Sequence, residues 1–194
     1  MGNVVVTEFV SLDGVFEDPG GAENFEHGGW SFQFDRGADG DRFKLDELNT
    51  ADAQLLGRVT YEAFAQAWPS ITDEVGFAVR MNEMPKSVVS ATLTDPTWQN
   101  TTVIADNVGG QVRALKDRYA GDILIAGSGL LVRSLMAEDL VDEFHLMVYP
   151  IVLGSGRRLF DDGTTTTRLA LTDSRQVGPD GVTVLTYVPD RTGS

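Results

Sequence analysis

Two short segments place a glycine where an apolar strand would turn into a helix. In the first, Leu55-Leu56 runs into Gly57, Arg58, Val59 and Thr60. Glycine lets the backbone approach a ligand with no Cβ in the way. The first turn of a helix offers N–H groups without intrahelical partners and partial positive charge, which suits an anion. Arg58 adds a guanidinium fork matched to phosphate, and Thr60 adds a hydroxyl. In the second segment, Ile123-Leu124-Ile125-Ala126 meets Gly127-Ser128-Gly129-Leu130 and a further apolar helix. Each segment alone is equally compatible with an ordinary tight connection, but two in one short chain favour phosphate binding. The second is not the GxGxxG fingerprint, because position 132 is valine and no acid stands about twenty positions on. A third feature is Ser11-Leu12-Asp13-Gly14, at the end of an apolar strand. Asp13 would stand at the ligand edge of an open parallel sheet, although an Asp-Gly turn needs no function.

The elements that position these residues are readable from pattern. Residues 3–10 predict a buried strand, and 11–30 a long glycine-rich loop of the kind that is usually functional or disordered. The loop carries His27 and Trp30, with Phe32 just beyond. Trp30 and Phe32 are candidates for an aromatic wall against a substrate, and core packing is the stronger alternative for Phe32. Helices are expected over 38–50, 59–67, 73–82 (capped by Asp73), 109–119 and 129–140. Strands are expected over 53–57, 86–90, 101–105, 122–127 and 142–149. The Gly178-Pro179-Asp180-Gly181 turn predicts a hairpin of 168–177 with 182–188. Strands alternating with helices imply an α/β fold with a mostly parallel sheet, mixed by the final hairpin. His145 lies opposite the apolar face of its strand and is expected at an interface or on a solvated face. Residues 190–194 are expected to fray.

The chain has 194 residues, the length of one domain spanning 1–194, and such a domain buries roughly 70% of its unfolded surface. It has no cysteine and two histidines, so thiolate metal sites and disulfides are excluded and no metal site is expected. Zero cysteine suits a reducing cytoplasm. The formal net charge of −14 argues against nucleic-acid and anionic membrane partners. No apolar run approaches the ~20 residues of a membrane span, and the start lacks a signal-peptide pattern.

Taken in order, Ser11-Leu12-Asp13-Gly14, the Gly57-Arg58-x-Thr60 turn, Pro85–Ser90, Ile125–Met136 and Leu140–Phe160 resemble dihydrofolate-reductase-like proteins. The match is nearest to stand-alone relatives of the C-terminal reductase domain of the bifunctional riboflavin-biosynthesis deaminase/reductase. The resemblance spans about residues 3–188. It implies a mixed sheet of about eight or nine strands with flanking helices, NADPH as cofactor, and hydride transfer to a C=N or C=O bond of a small heterocyclic or carbonyl substrate. Gly57, Arg58 and Thr60 would contact the pyrophosphate and the adenosine phosphate. Ser90, assisted by Thr92, would face the 2′-phosphate. Gly127, Ser128, Gly129 and Leu130 would lie under the pyrophosphate and the nicotinamide ribose. Dihydrofolate reductases carry a cis glycine pair at this second turn, which places an expected cis or otherwise strained peptide bond at Ala126–Gly127. Asp13 is the expected substrate-facing polar residue in the catalytic role, with Trp30 as substrate contact. No motif fixes which of Asp35, Asp39 or Asp41 would match the family's helix carboxylate. Arg157 and Arg158 either meet a substrate phosphate or offset nearby acids. Relatives also imply a homodimer through 142–152. The alternative is a nucleotide-binding module without catalysis.

Overall fold

A computed structural model describes residues 1–191. β1 (Val4–Ser11) is buried along nearly its whole length, as a β-branched run between two neighbours should be. There follow α1 (Gly37–Thr50), β2 (Ala51–Gly57), α2 (Arg58–Ala67), α3 (Phe77–Glu83), β3 (Lys86–Val89) and β4 (Thr101–Ile104). The chain continues through α4 (Val108–Arg118), β5 (Asp122–Ile125), α5 (Gly129–Ala137) and β6 (Glu143–Tyr149), and ends in β7 (Leu169–Val177) and β8 (Val182–Pro189). The sheet order is β4-β3-β2-β5-β1-β6-β8-β7. Strands β1 to β6 run parallel, while β8 is antiparallel to both β6 and β7. The mixed, mostly parallel α/β sheet with a terminal hairpin is therefore the architecture expected.

The alternation of β1 divides the core. Val4 and Val6 pack with Val112, Val132, Leu135 and Phe144, on the side of α4 and α5. Val5 points the other way and packs with Leu48, Leu56, Tyr61, Met81 and Trp98. A third cluster joins Trp30 to Met147, Tyr149, Val177, Val182 and Val184.

Several expectations are corrected. α3 begins at Phe77 and not at Asp73, because Gly76 adopts a left-handed φ of 83°. The Asp73 carboxylate still accepts the N–H groups of Val75, Phe77 and Ala78, so it caps from outside. β6 is an interior strand, hydrogen-bonded on both sides by β1 and β8, so its part of the 142–152 segment offers no free strand edge. The two edges of the sheet are β4 and β7, and β7 is exposed along nearly its whole length. Asp190 and Arg191 both have partners in the fold. The Asp190 N–H donates to Arg168, and Arg191 pairs with Asp139. The rest of that expectation, 192–194, lies outside the described residues. No described helix is long and apolar enough to cross a membrane.

Candidate active site

The chain leaves β1 and β5, adjacent in the sheet, in opposite directions. After β1 it crosses to β2, and after β5 it crosses to β6. A crevice opens outside the carboxyl ends of strands at such a switch point. The pairing of β1 with β5 stops at Val6 and Ile125, whereas β1 stays paired with β6 as far as Ser11. The β5-facing edge of β1 is therefore open beyond Val6.

Both glycine-marked turns line this opening, and they interlock. A Cβ on Gly57 would collide with Ser128 Oγ and Cβ, and one on Gly127 would lie 2.6 Å from Thr60 Oγ1. The Gly57 N–H donates to the Gly127 carbonyl at 3.4 Å. Gly127 has φ of 94° and the peptide bond from Gly127 to Ser128 is cis. The expected cis bond at Ala126–Gly127 is thus corrected by one residue. Gly127-Ser128 fills the place of the glycine pair, because the first member needs the positive φ and the second has a Cβ that fits against Gly57. Neither Gly57 nor Ser128 caps its helix with a side-chain bond, so the first N–H groups of α2 and α5 are free to receive an anion.

The other expected residues take distinct positions. Arg58 is half-exposed, and its guanidinium lies 2.9 Å from both Glu62 carboxylate oxygens. Ser90 is buried, and its hydroxyl accepts the N–H groups of Thr92 and Leu93. The hydroxyl open to a ligand there is Thr92. Leu130 is 73% exposed beside the second turn. A groove of about 310 Å³ adjoins α2, but its lining includes Glu62 and Asp95 and no cation, which does not suit a phosphate.

Asp13 is not poised to give a proton. Its carboxylate accepts the Ser11 hydroxyl and the N–H groups of Leu153 and Gly154. Burial pushes its carboxyl up, but these hydrogen bonds outweigh burial and hold it at about 2. Asp13 instead ties the end of β1 to the 153–158 loop. Trp30 is fully buried on Tyr149, with its indole N–H donated to the Glu17 carbonyl. It is a core residue and presents no face to a substrate, whereas Phe32 is 79% exposed. Their expected places are reversed because Tyr149, remote in sequence, supplies the cavity that Trp30 fills.

Arg157 pairs with Glu17 and Glu23, and Arg158 donates to the Asp13 carbonyl. Both serve to hold the 11–33 loop, the acid-offsetting alternative. His27 is exposed beside Glu26. Asp35, Asp39 and Asp41 secure the start of α1. They accept, in turn, the Gly37 N–H, the Gly178 N–H and the Arg36 side chain.

Two buried acids escaped the sequence. Glu47 of α1 accepts the Thr7 hydroxyl and lies 2.6 Å from His145 Nδ1. Its other oxygen lies 2.6 Å from Lys44 Nζ, without hydrogen-bond alignment. Burial works against charge on Glu47, but Lys44 and His145 hold its carboxyl below the usual range. Burial likewise opposes charge on His145, and the bonds to Glu47 and Glu143 raise it nonetheless. His145 is thus part of an ion network and not on a solvated face. Its partner lies 98 residues away, so no local pattern could reveal it. Glu8 of β1 is 7% exposed, and its Oε1 has no hydrogen-bond partner. Its only signal in the sequence is a charge inside an apolar run.

An open, largely parallel sheet with two interlocked glycine turns at its switch point and a terminal antiparallel hairpin defines a dihydrofolate-reductase-like fold. The chain belongs to the RibD C-terminal domain family, whose description matches residues 3–183. It is 32% identical over 169 residues to the uncharacterized protein YwjB of Bacillus subtilis, covering 87% of this chain and 88% of that one. The crystal structure of a putative riboflavin biosynthesis protein from Shewanella sp. PV-4 superposes with a TM-score of 0.77 at 21% identity, covering 97% and 99% of the two chains. Dihydrofolate reductase from Enterococcus faecalis, complexed with NADP(H), gives 0.60 at 14% identity, covering 97% and 96%. These two likenesses concern the fold.

Proposed function

We propose that this protein is an NADPH-dependent reductase that transfers hydride to a C=N or C=O bond of a small heterocyclic, pterin- or aminopyrimidine-like, or carbonyl substrate. The observation that carries the reading is the interlocking of Gly57 with Ser128 and of Gly127 with Thr60 at the switch point. It brings two helix N-termini side by side at the carboxyl edge of the sheet. The residues present fit a dinucleotide. The N–H groups of α2 and α5 would hold the pyrophosphate, and Arg58 with Thr92 would meet the adenosine 2′-phosphate. Gly127 to Leu130 would lie towards the nicotinamide ribose. Family membership and the NADP(H) complex of a protein of the same fold support the choice of cofactor. When bound, the reduced nicotinamide supplies a hydride. The protein's part is to orient the two partners, exclude water and hold a proton.

The test is titration with NADPH, followed by fluorescence, and then its oxidation in the presence of 7,8-dihydrofolate, a pterin or a phosphoribosylaminouracil. Binding with turnover of one of these is expected. Binding without any turnover would favour a non-catalytic nucleotide-binding module, and no binding would sink both. A homodimer and a cytoplasmic location complete the reading. Sedimentation of the purified protein checks the first.

A further inference from the structure

Glu8 is a buried acid that neither the glycine turns nor the ion network employs. It stands two residues beyond the last β1–β5 pair, where β1 has lost one neighbour and kept the other. That position lies beyond the carboxyl end of β5, enclosed beside the second glycine turn. Three elements bring a charge or a hydrogen bond to its carboxyl. The second turn presents the Gly127 N–H, α1 presents Lys44, and the 11–33 loop presents Glu23. β6 places the uncharged Leu146 at the same register. Lys44 aims its ammonium at Glu47 and Thr7, so it acts on Glu8 only through space. Burial pushes the Glu8 carboxyl up to about 8. Lys44 and the Gly127 N–H partly offset this, and the charge of Glu23 reinforces it. Glu8 is therefore a neutral acid at pH 7, with one enclosed oxygen that lacks a partner. The other acids at this edge are unsuited to the task. Asp13 is ionised, and Asp35, Asp39 and Asp41 are exposed and already bonded.

We propose that Glu8 is the proton donor of this site, its enclosed carboxyl giving a proton to the substrate nitrogen or oxygen beside the carbon that is reduced. This rests on the reductase reading above. The substrate double bond gains a hydride at carbon, with two electrons, from the reduced nicotinamide, which leaves oxidised. It gains the Glu8 proton at nitrogen or oxygen. Glu8 is left as a carboxylate in the field of Lys44, and water returns its proton after product leaves. The raised affinity for a proton is what a general acid working near neutrality requires.

The first measurement needs no cofactor. Carboxyl NMR of the free protein should show one glutamate titrating near pH 8, and that resonance should be missing in Glu8→Gln. A resonance titrating in the ordinary carboxylate range overturns the proposal. The second measurement is single-turnover oxidation of NADPH with the three substrates named above. Glu8→Gln should lower the rate roughly 100-fold or more while leaving NADPH affinity within about threefold. The wild-type rate should fall as pH rises through about 8, and the variant should lose that dependence. Should the variant not fold, the wild-type pH profile and titration decide alone. Turnover with an unchanged rate and profile in Glu8→Gln overturns the donor role alone, whereas NADPH bound without turnover overturns the reductase reading and the donor role with it. Absence of NADPH binding overturns the reductase reading as well, and the titration distinguishes the two failures.

Discussion

The two sides of β1 treat a buried glutamate in opposite ways. On the α1 side, Glu47 meets Lys44, Thr7 and His145, and it is held ionised. On the side of the second glycine turn, Glu8 meets one backbone N–H and feels Glu23, and it keeps its proton. Both residues are more than nine-tenths buried. Burial alone therefore does not set the charge. The placement of one cation does, because Lys44 contacts one acid and only influences the other. The first side is a lock between α1 and the sheet. The second is a reservoir for a single proton beside the dinucleotide turns.

The strongest way to break this comparison is to remove the lock. Glu47→Ala strands Lys44 without its counter-charge in a largely buried setting and leaves His145 with Glu143 alone. A loss of about 3–5 kcal/mol is expected for breaking a buried ion network from one side. Urea unfolding at pH 7 measures it, and a loss under about 1 kcal/mol would mean that the network is only decorative.

The next effect is a pH dependence, and its sign follows from the direction of the shift. Glu8 has an ordinary value of 4.5 and a folded value of about 8. Between these pH values the folded chain holds a proton that the unfolded chain has released. Stability therefore falls as pH rises from about 4.5 to about 8, at up to roughly 1.4 kcal/mol per pH unit. Glu8→Gln has no such proton, so its stability should fall less over this range and exceed that of the parent at pH 9. Parallel curves for the two proteins would place Glu8 in the same class as Glu47.

A smaller effect separates the adenosine end from the rest of the site. Arg58→Ala should weaken NADPH by about 1.5–3 kcal/mol more than it weakens NADH, the range for a charge-assisted hydrogen bond. Paired titrations with the two cofactors measure the difference. Equal losses would remove Arg58 from the 2′-phosphate.

Much of this arrangement is legible in the sequence where it is local. The strand-to-helix turns at Gly57 and Gly127 follow from an apolar run, a glycine and a helical pattern within ten residues. The hairpin follows from Gly178-Pro179-Asp180-Gly181. What escapes depends on partners remote in the chain. Trp30 is exposed or buried according to Tyr149, and His145 is a surface or network residue according to Glu47. Asp13 is a free or committed carboxylate according to Leu153 and Gly154. The contact of Ser128 with Gly57 joins two turns about seventy residues apart, so no local pattern could give it. Glu8 required the sheet order, since only the insertion of β5 beside β1 places Gly127 next to it.

The smallest expected effect sharpens the role of Arg58. It occupies the first position of α2, where a cation opposes the helix dipole. Its exposed pair with Glu62, four residues on, contributes only about 0.3–0.5 kcal/mol. An arginine so placed gains little from its own helix, and an arriving phosphate would draw it away at small cost. Glu62→Gln should then strengthen NADPH binding by about twofold, because the guanidinium no longer has to leave a carboxylate, and should leave NADH unchanged. If both cofactors gain alike, Glu62 acts on the crevice through general repulsion and the pair does not guard the 2′-phosphate. If neither gains, Arg58 keeps its partner when the dinucleotide binds, and the adenosine end is held by Thr92 and the N–H groups of α2.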